Sequence, residues 1–376
     1  MIFQPNIIKA GSSTTPEGWY PPADWNWDAA SALINDGDNG FVALFMAFPD
    51  MENYINFNAS FIGTGSIDWG DGSAPQAVTN GVNTYATLDY ANIPGGVVAS
   101  IGCKIAVVKF TCTSTFISLN LSTSHPEANA TTPTNWIAMK IRTSGTIIGL
   151  TTGQKYGTKC VYLHLLDLGS ALLAKTSATY ALSYLESLKK IHWSGFEPSN
   201  GSKETLFIES CLSPFCNIID GLGWQYITSL SSCFSSAFGL SSINISIPNC
   251  TTIYNAFANA GINSVKLINT GNVASINNCC FGAYTKSFEM DDCDAITNTT
   301  NFTYSSYNFF QRLILSGLTV GINLTNGNMS ATAINAFLAA LGTANGTQII
   351  NLAGNPGALT CDVSIGTAKG YTIITA

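Results

Sequence analysis

The most constraining feature of the sequence is a short apolar–polar–apolar triplet that recurs after residue 115. Eight of the nine intervals between successive triplets measure 20 to 28 residues. A unit this short cannot bury its own apolar side chains and has to stack on its neighbours, so the sequence predicts a solenoid over residues 116–328. The triplets are Leu119-Asn120-Leu121, Met139-Lys140-Ile141, Leu163-His164-Leu165, Ile191-His192-Trp193, Cys216-Asn217-Ile218, Ile243-Asn244-Ile245, Val265-Lys266-Leu267, Phe288-Glu289-Met290, Leu313-Ile314-Leu315 and Ile350-Asn351-Leu352.

The middle residue of each triplet is expected to face solvent, because side chains alternate between the two faces of a strand. Neighbouring strands lie about 4.8 Å apart, so we expect Lys266 beside Glu289 and His164 beside His192. This outward ladder either binds a polar ligand, such as a surface glycan, or keeps the sheet hydrated. The candidate ligand-binding residues are Asn120, Lys140, His164, His192, Asn217, Asn244, Lys266 and Glu289, and the ladder continues with Ile314 and Asn351.

Residues 40–115 contain short strands separated by Gly, Asp and Asn turns, which is typical of a β-sandwich. The segment Asp68-Trp69-Gly70-Asp71-Gly72-Ser73 resembles the WGDGS turn of PKD-like, immunoglobulin-type domains. The resemblance implies a PKD-like sandwich, with Trp69 in its core. Calcium binding by Asp68 and Asp71 is an alternative; a turn closed by its own hydrogen bonds is the favoured interpretation.

Residues 1–39 form a Trp- and Pro-rich arm that contains Trp19, Trp25 and Trp27. Large aromatic side chains on a segment with little core of its own usually dock on another surface. That surface is either the next domain of the same chain or a neighbouring subunit, in which case the three tryptophans are assembly contacts.

The repeats resemble the BspA-like leucine-rich repeats, and residues 226–248 follow that pattern closely. A second landmark, a residue pair that ends in Phe, precedes each of the four triplets before the last one, at Phe234, Phe257, Phe281 and Phe302. The expected fold class is therefore mainly β with short helices, in which an N-terminal PKD-like β-sandwich is followed by an irregular BspA-like leucine-rich-repeat solenoid.

Residues 329–376 are predicted to cap the solenoid. Ser330 is a good N-cap for a helix whose apolar residues recur at helical spacing, and a strand, a turn and a last strand follow between residues 349 and 374. This ending resembles that of repeat proteins found in bacteriophage tail and fibre genes. The resemblance implies a virion protein.

Composition excludes several classes of function. Charged residues make up only 10% of the chain, against about 25% in typical proteins, and the net charge is −7. A nucleic-acid footprint is therefore not expected. Neither a signal peptide nor an apolar run long enough to span a membrane is recognised, so we expect synthesis in a host cytoplasm without membrane insertion.

No cofactor, metal site or catalytic residue is predicted. The chain has three histidines and lacks the spacing of a metal or nucleophile motif. Glu289 and Asp291 could satisfy the separation of a glycosidase pair, but a neighbouring Lys266 would keep Glu289 ionised and unsuited to be a general acid. The eleven cysteines are expected to be buried thiols, with Cys103 and Cys112 as the most plausible disulfide.

These observations favour a non-enzymatic virion structural protein, and two functions are considered. The first is a tail- or fibre-associated adhesin whose solenoid binds a host-surface glycan or protein. The second is a capsid decoration or tail-scaffold protein whose solenoid mediates assembly. A bacterial surface adhesin is a weaker third possibility. In either virion role the expected partners are other virion proteins and further copies of the chain.

Overall fold

The computed structural model describes residues 20–128, 134–145, 147–152, 160, 162–173, 185, 187–188, 190–192, 224–237, 242–303 and 310–376. In these residues the protein is mainly β with a few short helices, and it forms a β-solenoid of about seven turns. Trp19 and Asn217 lie outside the described residues.

Two sheets form the N-terminal half. The first contains β1 (Gly40–Ala47), β3 (Gly65–Asp68), β4 (Gln76–Val78), β6 (Lys104–Cys112), β8 (Trp136–Arg142), β10 (Leu165–Asp167) and β12 (Lys190–His192). Its strand order is β12-β10-β8-β1-β6-β3-β4. The second contains β2 (Asn53–Phe61), β5 (Asn83–Leu88), β7 (Phe116–Asn120), β9 (Ile147–Thr151) and β11 (Leu172–Leu173), in the order β11-β9-β7-β2-β5.

Aromatic side chains fill the space between these two sheets. Phe41 of β1 meets Phe57 of β2 edge to face, with ring centroids 5.2 Å apart, and also contacts Trp136 of β8. All three side chains are fully buried. The alternation of apolar and polar residues along β2 places one face of that strand in this core.

The sheets continue across residue 115 into the repeats. Strand β8 pairs antiparallel with β1, and β10 and then β12 add to it in parallel. Strand β7 likewise pairs antiparallel with β2, and β9 adds to β7 in parallel. The change from antiparallel to parallel pairing marks the start of the solenoid. The first turns of the solenoid therefore rest on the edges of the N-terminal sheets, and the boundary expected at residue 115 is not the end of a sheet.

The turn after β3 is closed by its own hydrogen bonds. The Asp68 carboxylate accepts from the Gly70 N–H at 2.9 Å, and the Asp71 carboxylate accepts from the Ser73 N–H at 3.0 Å. Gly70 has φ +72° and lies against the backbone of Val107, so a side chain has no room there. This geometry agrees with the turn interpretation.

Cys103 and Cys112 are both free thiols, so the disulfide considered for them is not formed. Cys103 immediately precedes β6 and Cys112 ends it, and a strand advances about 3.3 Å per residue. A disulfide needs its two Cα atoms within about 7 Å. Burial raises the pKa of Cys103 to about 11, so it remains a protonated thiol at neutral pH.

A third sheet continues the solenoid with four parallel strands. They are β13 (Ser242–Ser246), β14 (Ser264–Ile268), β15 (Ser287–Met290) and β16 (Arg312–Leu315). The flanking residues of each triplet point inward and are buried, as the sequence predicts. One apolar core extends from the N-terminal sheets through these turns to the end of the chain.

A second parallel ladder runs beside this sheet with a period of 23 residues. Single bridges join Ser229, Thr252, Ser275 and Asn298 in succession. Three residues after each bridge the backbone takes a left-handed conformation, at Ser232, Asn255, Asn278 and Asn301, with φ between 52° and 58°. Asn adopts this conformation at lower cost than most residues, which explains its recurrence.

The register of these turns corrects two of the four landmark residues: Phe281 lies one position after, and Phe302 one position before, the position equivalent to Phe257. Phe234 stacks on Phe257 with ring centroids 5.3 Å apart. The next equivalent position is Cys280, because the N–H groups of Phe257 and Cys280 each donate to the following turn. Phe281 is therefore offset by one residue and is 37% exposed, whereas Phe257 is fully buried.

The C-terminal region combines two helices and a parallel sheet. The helices are α2 (Ala331–Ala340) and α3 (Ser364–Thr367), and the strands are β17 (Ile322–Asn323), β18 (Gln348–Asn351) and β19 (Tyr371–Ile374). Ser330 caps α2 by accepting the Ala333 N–H at 3.2 Å, as predicted. The expected strand–turn–strand is instead a parallel pair with α3 between the strands.

The arm packs on its own chain. Trp25 and Trp27, on a 3₁₀ turn (Ala23–Trp25) and the short helix α1 (Trp27–Ser31), are 3% and 5% exposed. They cover the outer face of the first sheet, where they form a small apolar cluster with Leu44, Met46, Cys103, Ile137, Ala138 and Leu165. Of the two docking surfaces considered, these two side chains use their own domain, so they are not available as exposed assembly contacts.

Trp27→Ala should lower the free energy of unfolding by about 3–5 kcal/mol, because it removes a large buried side chain from the cluster under the arm. Urea unfolding followed by circular dichroism measures the change. Leu33→Ala is the matched control, since Leu33 follows α1 but is 46% exposed. Equal, small effects for both variants would contradict the docked arm.

Phe257→Ala should cost about 3–5 kcal/mol of unfolding free energy, and Phe281→Ala less than about 1 kcal/mol. The difference follows from the 23-residue register, which buries only the first ring. The same urea titration distinguishes them. A larger loss for Phe281→Ala would restore the register that the sequence landmark suggested.

Candidate functional site

The outward ladder is confirmed over the third sheet. The register places Asn244 beside Lys266, Lys266 beside Glu289, and Glu289 beside Ile314. Glu289 makes its ion pair with Arg312, whose Nε lies 2.7 Å from Oε1. Asn244 and Lys266 are exposed.

Asn120 does not belong to this ladder. It lies on the second sheet, where it is paired with Asn58 on one side and Thr151 on the other. Its side-chain oxygen accepts hydrogen bonds from the N–H and hydroxyl of Ser122. The triplet pattern identified a strand correctly but could not show which sheet it joins.

The prediction that His164 lies beside His192 is wrong. The register pairs Lys140 with Asp167, and Asp167 with His192. The sequence Leu163-His164-Leu165-Leu166-Asp167-Leu168 contains two adjacent triplets. The middle residue of the second triplet, Asp167, occupies the position in the outward ladder. His164 instead lies under the arm, where its ring meets the Trp25 ring edge to face at 5.6 Å.

Asp167 is the centre of an ion-pair cluster that the sequence pattern missed. Arg142 holds both carboxylate oxygens of Asp167, at 3.2 and 3.1 Å, and its Nε lies 2.7 Å from an Asp36 oxygen. His192 Nδ1 lies 3.0 Å from Asp167, and the Gly169 N–H donates to the same carboxylate. This cluster ties the loop after α1 to three strands, β8, β10 and β12.

The environment of Asp167 favours its charged form. Partial burial alone would raise its pKa, but the hydrogen bonds and positive charge of Arg142 outweigh burial, with smaller contributions from Gly169 and His192. The pKa of Asp167 therefore lies below its usual range. Lys140 is also engaged, because its Nζ donates to the Ser31 carbonyl at 2.9 Å. Lys140, and Asp167 through Arg142, thus fasten the arm.

A concave site lies at the other end of the solenoid. A groove of about 750 Å³ crosses the last turns and is lined by Thr299, Thr300, Asn301, Thr303, Gly321, Ile322, Asn323, Thr325, Asn326, Ile349, Asn351 and Ile374. Every residue of this lining is uncharged. We call it the C-terminal groove.

Strands β17, β18 and β19 form the floor of the C-terminal groove. Asn323 pairs with Asn351, and Asn351 pairs with Ile374, so the three side chains form one row. Gly321 lies close to the Ile349 backbone, where an added Cβ would come within 2.6 Å of the carbonyl oxygen. This glycine lets β17 approach β18 and leaves the floor open beside Ile349.

The sequence pattern singled out Asn351 but not its neighbours. Asn351 is the middle residue of the last triplet, whereas Asn323 lies within the long interval that separates the last two triplets. The strand β17 spans only two residues, which is too short to produce a periodic signal.

The described residues contain no group of three or more His, Cys, Asp or Glu side chains that could hold a metal ion. In the same part of the chain, no helix has both the length and the apolar character needed to cross a membrane. Comparison with protein-family models, curated proteins and solved structures finds no match to the chain. The BspA-like and PKD-like resemblances therefore remain predictions.

Asp167→Asn should lower the free energy of unfolding by about 1–3 kcal/mol at pH 7, because hydrogen bonds to a charged group are worth about that much. The folded pKa lies below the unfolded value, so this contribution is present above about pH 4 and is lost as the pH falls through the folded pKa.

Urea unfolding of both proteins between pH 7 and pH 2 measures this dependence. The gap between wild type and variant should close in acid. Asp294→Asn, at an exposed position, is the control and should change stability by less than about 0.5 kcal/mol. A gap that stays constant with pH would contradict the charged state of Asp167.

Proposed function

We propose that the protein is a non-enzymatic adhesin that binds a host-surface ligand through its solenoid. The observation that carries the proposal is the C-terminal groove, which crosses successive turns and combines hydroxyl, amide and aliphatic side chains. Ligand sites are typically concave, and a small number of placed polar groups fix the orientation of the ligand. Solenoids characteristically use such extended faces for binding.

The site of action that we propose is a virion, in the tail or a fibre. The support is the sequence resemblance of residues 329–376 to the ending of bacteriophage repeat proteins, together with the BspA-like pattern of the repeats. In this proposal the N-terminal part, read as PKD-like, joins the protein to other virion proteins, and the solenoid faces the host.

An assembly role, as a capsid decoration or tail-scaffold protein, is the second candidate. It is favoured by exposed aliphatic side chains near α3, where Leu359 is 79% exposed and Val363 is 40% exposed. Exposed apolar surface of this kind often marks a contact with another protein.

Binding of the fluorescently labelled full chain to intact host cells tests the adhesin. Ile349→Arg places a long charged side chain in the C-terminal groove from an exposed position, and it should abolish cell binding without changing the thermal midpoint. Lys266→Glu, on the outward ladder, is the matched surface control and should bind normally.

Loss of binding in Lys266→Glu alone would move the contact to the outward ladder. Absence of binding by the wild-type chain, together with its incorporation into particles, would favour the assembly role instead.

A further inference from the structure

Two equivalent asparagines define the polar chemistry of the C-terminal groove. The Oδ1 atom of Asn323 accepts the Thr325 N–H at 3.1 Å, and the Oδ1 atom of Asn351 accepts the Ala353 N–H at 3.1 Å. Each side chain is thereby held by a local turn, with its amide nitrogen as the remaining polar group. No described residue accepts a hydrogen bond from either Nδ2 atom.

The two asparagines are direct neighbours across β17 and β18. Adjacent strands lie about 4.8 Å apart, so the groove offers two fixed amide donors at that spacing. A fitting ligand therefore presents acceptor oxygens. Thr300, exposed at the wall, adds a hydroxyl that can donate or accept.

The same floor contains an exposed aliphatic side chain. Ile349 is 48% exposed, and it lies on the same face of β18 as Asn351, two residues away. Ile374, next to Asn351 on β19, extends this apolar surface. A ligand that only hydrogen-bonds would leave this surface facing water, whereas a ligand with a methyl group near an acceptor would cover it.

The absence of charge in the C-terminal groove restricts the ligand further. None of the lining residues of the C-terminal groove is ionisable. An acidic or cationic sugar would lose hydration there without gaining an opposite charge, which is unfavourable. The groove thus selects for an uncharged ligand.

We propose that the C-terminal groove binds the acetamido group of an uncharged, N-acetylated sugar in a surface glycan. The acetamido methyl packs on Ile349, and its carbonyl oxygen accepts a hydrogen bond from the amide of Asn323 or Asn351. Hydroxyls of the sugar ring contact Thr300 and the neighbouring wall. This assignment rests on the proposed adhesin function and names its ligand class and contact residues.

Calorimetric titration of the full chain with the β-1,4-linked trimer of N-acetylglucosamine tests the proposal. Two comparison ligands share its backbone: the glucose trimer, which lacks the acetamido group, and the glucosamine trimer, which carries amines. We expect the N-acetylated trimer to bind about tenfold or more tightly than either, since it alone satisfies the amide donors and covers Ile349.

Asn351→Asp is the test variant. Aspartate keeps the oxygen that accepts the Ala353 N–H, so the turn and the fold are preserved, but it replaces the amide donor with a negative charge. Affinity for the N-acetylated trimer should fall about tenfold or more. Asn244→Asp makes the same change on the outward ladder and should leave affinity unchanged.

The outcomes separate the ligand class from the general function. Cell binding that depends on the groove, without preference for the N-acetylated trimer, overturns the ligand assignment and leaves the adhesin intact. Trimer binding that Asn244→Asp weakens and Asn351→Asp does not overturns the placement in the groove. Absence of both cell and trimer binding overturns the proposed function as well as this inference.

Discussion

The structure depends on one interaction: the parallel strands of the solenoid stack onto strands that pair antiparallel with the N-terminal sheets. A turn of the solenoid exposes the N–H and C=O groups of its strands on two sides and buries its apolar side chains only between neighbours. The first turns therefore need a partner for their backbone groups and apolar side chains. Strand β8 finds this partner in β1, and β7 finds it in β2. One apolar core then continues to Tyr371 of the last strand. The N-terminal sheets therefore cap the solenoid.

This arrangement divides the outer surface into occupied and open parts. Near the N-terminal sheets, the arm covers the outer face, and Asp36 of the arm pairs with Arg142, which also holds Asp167. At the C-terminal end, the residues that line the groove are uncharged. For the function proposed above, we expect recognition through neutral hydrogen bonds and small apolar contacts, because the lining of the groove carries no charge. Binding of this kind depends little on salt, because long-range attraction between charges contributes little to it.

The sequence predicts much of the fold and little of the site. The regular spacing of the triplets predicts the solenoid, because residues that point into its core must be apolar. Ser330 predicts the start of α2. The partner of each strand is not encoded in the triplet, so Asn120 was assigned to the wrong ladder and Asp167 was missed beside a competing triplet. The groove could not be found from sequence, because it depends on how a two-residue strand, a glycine and a distant turn meet in space.

Amide hydrogen exchange across the junction tests the central claim, that one continuous core joins the N-terminal sheets to the solenoid. Peptides from β8, at residues 136–142, should exchange as slowly as those from β6, at residues 104–112, because both strands pair with β1. Protection in β10 should follow that in β8. Fast exchange in residues 136–142 while residues 104–112 stay protected would show that the solenoid does not begin on these sheets, and it would contradict the account.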